Sequence, residues 1–371
     1  MIIFNSDLLS TYNPAYNDSI VNFESTMTGI TNCSITIGTN DFVVYPFNNV
    51  FKFNFKPVVT TLINQNGFKD SILPDLSGGD FIYNDASLQL TITPEFFVYN
   101  ATTGETINKE YKFLKCVEQL PFYNQKVMAG NDIKVLLPSS NGVDYHLTYF
   151  EGYPADFAIQ GLETGYTYSI KNSNTGIVSD TYTATTADVK RIFLSDGGND
   201  TTIDGTLITT SNLNNLELWV NGFFKCNIKV KKIESRCGVY LKWFNSNGGY
   251  SYWLFDRYFN EVIKTKDLDD IQGVWDNLQN ITSTSESLGK TATGTLQVNT
   301  QYTTQEKEYL LDLLKSPKVE MYINQEPFIQ VDAFNFIGVK VSDASTTYNS
   351  KSRNNKLRVT VELPSINTIT Y

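Results

Sequence analysis

One histidine stands in 371 residues, and that scarcity removes a large part of enzyme chemistry. His146 lies in Asp144-Tyr145-His146-Leu147 on an expected strand. No serine or cysteine motif there would make it a base, and a triad also needs an orienting third group. A lone imidazole also argues against a zinc site unless several thiolates join it. Cysteine is sparse too. Cys33, Cys116, Cys226 and Cys237 form no Cys-x-x-Cys pair, and they read as reduced, partly buried thiols, with a Cys226–Cys237 bridge as the alternative. No apolar run approaches the roughly 20 residues of a membrane helix. The start, Met1-Ile2-Ile3-Phe4-Asn5-Ser6-Asp7, lacks the basic and apolar parts of a signal peptide, so synthesis in the cytosol is expected. Ser77-Gly78-Gly79-Asp80 and Asp196-Gly197-Gly198-Asn199 are not followed by the Lys-Ser/Thr and helix of a phosphate loop, and read as turns.

Basic charge is in deficit, with 29 Lys and Arg against 39 Asp and Glu. The net of −10 disfavours bulk attraction to nucleic acid or an anionic membrane. Carboxylates are plentiful, but Glu151 with Asp156, or Asp269 with Asp270, have no context that marks a glycosidase pair. Asp267-Leu268-Asp269-Asp270 lacks the spacing of a calcium loop. No catalytic residue, cofactor or metal is expected.

Aromatic residues are abundant: 24 Phe and 22 Tyr, 13% of the chain with Trp. Aromatic and β-branched side chains fit a pleated, half-buried surface. The pattern predicts a mainly β, multidomain chain of β-sandwich or β-barrel type with one short capped helix. In a first domain, 1–125, Phe51-Lys52-Phe53-Asn54-Phe55 and Leu88–Ile92 alternate, and Pro57 closes the first of these strands. Glu95–Asn100 and Glu110–Val117 are expected to pair around Thr102–Glu105. A small sandwich is expected over 126–188, with strands at Ile133–Leu137, Tyr145–Phe150, Tyr166–Ile170 and Ile177–Ala184.

A third domain, 189–371, is the most legible. Leu216–Val220, Asn221-Gly222 and Phe223–Val230 carry the strongest short hairpin signal, with Cys226, Ile228 and Val230 on one face. Val239–Phe244 and Tyr250–Phe255 follow around Asn245–Gly249. Residues 279–295 are Ser/Thr-rich and read as a long exposed loop or a mobile arm. A helix is expected over 303–315. Thr303 and Glu306 would box its start, Leu310, Leu313 and Leu314 would form its apolar face, and Pro317 follows its end. Val319–Ile323 should pair with Phe328–Val331, and residues 344–355 form a loop before Leu357–Leu363.

Tyr240, Trp243, Phe244, Tyr250, Tyr252, Trp253 and Phe255 crowd the second hairpin. Rings at this density stack on sugars or bases, fill a core, or anchor an interface. Alternation makes both faces of the strand apolar, which favours core and interface over a ligand platform. Lys229 and Lys231, with Lys225, Lys232 and Arg236, form one basic group. Lys351, Arg353, Lys356 and Arg358 form another. Either is a solvated strand face or a contact with an acidic neighbour or nucleic acid.

The run Tyr240-Leu241-Lys242-Trp243-Phe244-Asn245, then Gly248-Gly249-Tyr250 and Tyr252-Trp253-Leu254-Phe255, resembles a signature of virion proteins from tailed phages that infect Bacteroidetes, including crAss-like phages. Leu296-Gln297-Val298-Asn299-Thr300, the 303–315 helix, Ser316-Pro317-Lys318-Val319 and the final strand extend it over roughly 215–371. The resemblance implies a tail or neck component, a ring or hub subunit around the tail channel. It would be assembled in the bacterial cytoplasm, with itself and other tail or neck proteins as partners, passive contact with channel DNA, and no membrane. It carries over no enzymatic residues. From a different class stands a carbohydrate- or receptor-binding module at the virion surface, using exposed aromatics such as Trp253 or Trp275.

Overall fold

The computed structural model describes the chain except residues 9–10, 75–80, 101, 119–132, 140–143, 198–206, 209–211, 235–236, 257, 273–284, 323–335, 350 and 371. It is mainly β, with seven sheets and two short α-helices among the described residues. No helix there is long and apolar enough to cross a membrane. The chain divides into two compact units, Met1–Glu234 with Phe244–Ser251, and Ser235–Trp243 with Tyr252–Tyr371.

The first unit opens with a sheet of Ile2–Ser6, Ile20–Ser25 and Val50–Asn54. A four-stranded sheet, in the order Gly104–Asn108, Glu95–Asn100, Ile30–Ile37, Asn40–Val44, shares its core. Phe23 stacks on Phe51 at 5.1 Å and meets Phe96 of the other sheet edge-on at 5.1 Å. Edge-to-face rings at this spacing satisfy the aromatic quadrupole. Phe51 and Phe55 are fully buried, as the alternation requires.

Pro57 ends that strand by opening a helix, Lys56–Ile63. Its missing N–H is harmless in a first turn. The helix went unread because Val58-Val59-Thr60-Thr61 is a β-branched run. Only Val59 and Ile63, one turn apart, are buried. The Thr60 and Thr61 hydroxyls donate back to Lys56 O at 2.7 Å and Pro57 O at 2.9 Å.

Glu95–Asn100 takes Gly104–Asn108 as its partner, rather than 110–117. Tyr111–Leu114 pairs instead with Gln89–Ile92, and in parallel with Tyr12–Pro14. A strand immediately after a hairpin is easily merged with the hairpin's return strand, since local turn chemistry fixes only nearest partners.

Two further sheets cross the expected domain boundaries at 125 and 188. Ile82–Asp85 pairs with Val189–Ser195, which pairs with Ala155–Gln160 and so joins Lys134–Val135. Asp144–Phe150 lies parallel to Phe223–Ile233, beside Leu213–Val220, Thr167–Asn172 and Tyr182–Thr183. Ala155–Gln160 and Val189–Ser195 are buried on both faces, so neither shows period two. The Asn221-Gly222 turn is as expected: φ is +50° and +77°, and Val220 faces Phe223. Cys226, Ile228 and Val230 point into the core.

In the second unit the sheet order is Tyr250–Phe255, Val239–Phe244, Val319–Tyr322, Phe336–Thr347, Asn355–Glu362, Lys290–Tyr302, Tyr258–Asp267. The hairpin tip, Phe244–Ser251, counts with the first unit.

Several expectations here are corrected. Residues 285–295 are strand rather than loop: Ser285–Ser287 pairs with Asp270–Gln272, and Lys290–Thr295 with Val262–Asp267. Its outer half has no buried side to produce alternation, and its threonines suit a strand. Residues 279–284 lie outside the described residues. The helix is shorter than expected, Lys307–Leu311 followed by a 3₁₀ turn, Asp312–Lys315. Thr303 N and Oγ1 donate to Glu306 Oε2 at 2.8 and 2.9 Å, which folds 303–306 as a turn before it. Tyr309 takes the buried place expected of Leu314, which is exposed.

Val319–Tyr322 pairs with Phe336–Val339, while Phe328–Val331 lies outside the described residues. Residues 344–347 belong to a strand. Leu357, Val359 and Val361 are fully buried, as alternation predicts.

Candidate assembly surface

The aromatic hairpin is core. Tyr240, Trp243, Phe244, Tyr252, Trp253 and Phe255 are all buried, Trp253 to 2% exposure, so none is a platform for a ligand in water. Trp243 and Trp253 both lean on Tyr309, at 5.7 and 6.4 Å between centroids. Tyr252 N donates to Tyr309 Oη at 2.7 Å, and Tyr309 Oη donates to Tyr252 O at 3.2 Å. Trp253 Nε1 donates to Thr300 Oγ1 at 2.9 Å. Buried polar atoms need such partners. At the tip, Phe244 meets Tyr250 edge-on at 5.5 Å. Asn245 Oδ1 accepts from Asn247 N at 2.9 Å and Gly249 N at 3.1 Å, which sets the turn. Trp275 lies outside the described residues.

A buried ion cluster in the first unit was not read from the sequence. Arg191 is 0% exposed. Its Nε and Nη2 donate to Asp156 at 2.8 and 2.9 Å, and its Nη1 and Nη2 to Asp70 at 2.6 and 3.0 Å. Asp85 Oδ2 stands 3.5 Å from Nη1. Tyr250 and Phe193 lie over the guanidinium at 4.4 and 4.9 Å. Planar, delocalised and weakly hydrated, a guanidinium suits this place better than an ammonium. Asp156, the one charge in the apolar run Ala155–Gln160, and Arg191, beside Lys190 in the apolar Val189–Ser195, were the only signal.

Two of the candidate acids are tied up in ion pairs. Asp156 is held by Arg191, and Glu151 pairs with Lys232 at 2.9 Å. Among the described residues no group of three or more His, Cys, Asp or Glu has metal-site geometry. His146 is half-buried opposite Lys229. All four cysteines are free thiols: Cys33, Cys116 and Cys226 buried, Cys237 exposed. Burial pushes the Cys33 and Cys226 thiols up to about 12.

The basic candidates fall into both units. Lys229 and Lys231 project from Phe223–Ile233, with Lys229 Nζ 3.4 Å from Asp144. Arg353 and Lys356 are exposed at the entry to Asn355–Glu362.

What the second unit does present to solvent is a β ribbon. Tyr258–Asp267 is an edge strand, ten residues long, paired with Lys290–Tyr302. Phe259, Glu261 and Ile263 face Val298, Leu296 and Gly294 across the ladder; beyond, Val298 and Leu296 face Val359 and Val361, and Gly294 O accepts from Leu363 N. Opposed residues share a face. That face is dry at Leu296 and Val298 yet open at the edge, where Phe259 is half-exposed and Ile263 is 60% exposed. The C-terminal segment runs along the other side of the ribbon through bridges Ala292–Ile366 and Gly289–Thr370, leaving Ile369 97% exposed. The unpaired N–H and C=O groups of an edge strand are a template for association, which Lys264 and Lys266 on this strand temper.

No family model matches the chain. No curated protein matches it either. Among solved structures it is similar to fibronectin(III)-like modules of Clostridium thermocellum CbhA. Identity is 6%, coverage is 63% of this chain and 95% of that one, and the TM-score is 0.19. A chimeric titin Z1Z2-Z1Z2 tandem gives 10% identity, 63% and 100% coverage and a TM-score of 0.18. A marsupial T cell receptor gives 7%, 62% and 88%, and 0.19. The β assignment rests on the sheets themselves.

A second exposed surface lies on the first unit. Thr106, Phe97, Ser34 and Val43 form one row across the outer face of its four-stranded sheet. Phe97 stacks on Tyr99 at 5.4 Å and leaves no room for a Cβ at Gly104. Beyond Val43 the chain carries Tyr45 and Phe47 into solvent, 72% and 81% exposed.

Proposed function

We propose that this chain is a structural subunit of a phage tail, a ring or hub protein that acts by oligomeric assembly around the tail channel. It is not an enzyme in this reading. The observation that carries the assembly part is the ribbon of the second unit. A lone chain leaves its edge strand unpaired on one side among the described residues, with Phe259, Ile263 and Ile369 in water. Burying such residues against a neighbour stabilises by about 25 cal/mol per Å² of apolar surface. The phage part rests on the resemblance of 215–371. Partners are further copies and other tail or neck proteins, with DNA passing the channel without specific readout. The place is the virion tail, assembled in the host cytoplasm. Virion imaging with the protein labelled tests this: the label should mark a ring at the tail or neck, and a monomer absent from virions refutes it.

The second reading, a carbohydrate- or receptor-binding module at the virion surface, is favoured by one observation. Tyr45, Phe47 and Phe97 are exposed, and Phe97, stacked on half-buried Tyr99, has Asn32, Ser34 and Thr106 as cross-strand neighbours of the pair. Rings flanked by hydroxyls and amides suit a saccharide. A glycan array with the wild type and Tyr45→Ala/Phe47→Ala variants decides it, and no hit on the array removes this reading.

A further inference from the structure

The ribbon of the second unit is polarised from end to end. Lys290–Tyr302 is one strand of 13 residues, about 40 Å at the usual rise. At its outer end stands an acidic tip. Its described residues, 267–272 and 285–289, carry Asp267, Asp269, Asp270 and Glu286 and no basic residue. There Asp270–Gln272 and Ser285–Ser287 pair as a small two-stranded sheet, exposed throughout. Asp267 is tied to Lys290 at 3.1 Å. Asp269, Asp270 and Glu286 have no ion-pair partner among the described residues.

At the inner end stands the opposite charge. Tyr302 faces Asn355 and Gln301 faces Lys356, so the connection from Phe336–Thr347 to Asn355–Glu362 lies there. From Ala344 to Val361 the sequence has Lys351, Arg353, Lys356 and Arg358 and no acidic residue. Lys351, Arg353 and Lys356 are exposed. Lys307 Nζ sits 4.3 Å over the Tyr348 ring, with Glu308 Oε1 3.6 Å away. Each end also carries apolar surface: Leu268 and Ile271 at the tip, Tyr348 at the loop.

We infer that the acidic tip of one copy docks on the basic 348–356 loop of the next copy, so that this chain associates head to tail. The inference rests on the assembly reading above and names its interface. The two patches lie at opposite ends of one strand, so a chain cannot join them within itself. They are different surfaces, so the contact is heterologous, and repetition closes a ring or continues as a filament. Opposite charge at a contact rim sets register and partner choice, and the apolar residues supply burial.

The experiment is a charge swap in the full chain, read by sedimentation velocity. One variant carries Asp269→Lys and Asp270→Lys, the other Lys351→Glu and Arg353→Glu. All four side chains are exposed, and circular dichroism checks that each variant folds. Wild type should self-associate. Each variant alone should do so at least about tenfold more weakly, because like charges then meet. An equimolar mixture should recover association, since basic tip meets acidic loop and acidic tip meets basic loop. Wild-type association should also weaken between about 50 and about 500 mM salt.

Self-association untouched by either swap overturns this interface while leaving an assembly role intact. A wild type that stays monomeric at about 100 µM in low salt overturns it too, and the virion label then judges the tail reading separately. If the loop swap abolishes binding to duplex DNA and leaves self-association unchanged, the loop serves nucleic acid and the inference fails.

Discussion

Replacing Arg191 by methionine should destabilise the first unit more than any surface change. The guanidinium holds Asp156 and Asp70 through four hydrogen bonds of 2.6–3.0 Å, with Asp85 at 3.5 Å, and all four residues are buried. Methionine fills much of the volume but leaves three carboxylates without their shared cation. Removing one partner of a buried ion pair costs about 3–5 kcal/mol, chiefly through the charge left behind. With a urea slope near 3 kcal/mol/M, fitting a chain of this size, the unfolding midpoint falls by about 1–1.7 M. Arg191→Lys should recover little, because an ammonium cannot span two carboxylates as the planar fork does. Adding Asp70→Asn and Asp156→Asn to Arg191→Met should recover much of the loss. The assay is urea unfolding followed by near-UV circular dichroism. A midpoint shift below about 0.3 M for Arg191→Met, or no recovery in the triple variant, would show that the cluster is not held by charge pairing as argued.

Tyr309→Phe leaves buried Tyr252 N without its acceptor, and urea unfolding followed by tryptophan fluorescence should show a loss of about 1–3 kcal/mol. Native Ellman titration should find one fast thiol, Cys237, with four appearing after denaturation, because Cys33, Cys116 and Cys226 are buried. Burial alone would raise the Asp7 carboxyl, but hydrogen bonds from Lys109, Tyr111 and Leu8 N outweigh it and hold it below its ordinary value. A lowered carboxyl contributes stability above about pH 4 that is lost as pH falls through its folded value. Asp7→Asn should therefore cost under about 1 kcal/mol at neutral pH, and the cost should shrink as pH falls through the lowered folded value, as thermal melts across pH would show.

Legibility followed the range of the interaction. Asn221-Gly222 and Asn245–Gly249 turn the chain through local backbone chemistry, and both hairpins lie where the sequence placed them. Leu357, Val359 and Val361 announce one buried face. Partners distant in sequence did not show. Asp144–Phe150 beside Phe223–Ile233, or Ile82–Asp85 beside Val189–Ser195, rests on no short pattern. The ribbon was hidden for the converse reason, since a strand exposed on both sides resembles a loop. The exposed aromatics were misplaced because hydropathy cannot say which ring-rich strand is covered. Trp253 is inside while Tyr45 and Phe47 are out.

Lys290–Tyr302 is one continuous strand that passes from open water into a dry core, and it therefore holds two regimes of local stability in a single hydrogen-bond ladder. Amides from Leu296 inward should exchange with solvent only when the unit opens as a whole, while those near Lys290 exchange through local fraying. A neighbour that grips the outer end would slow exchange there first and leave the inner end unchanged. Protection would spread along the strand as a graded record of how far the grip reaches. The backbone that folds the unit is thus the same backbone that would register its capture.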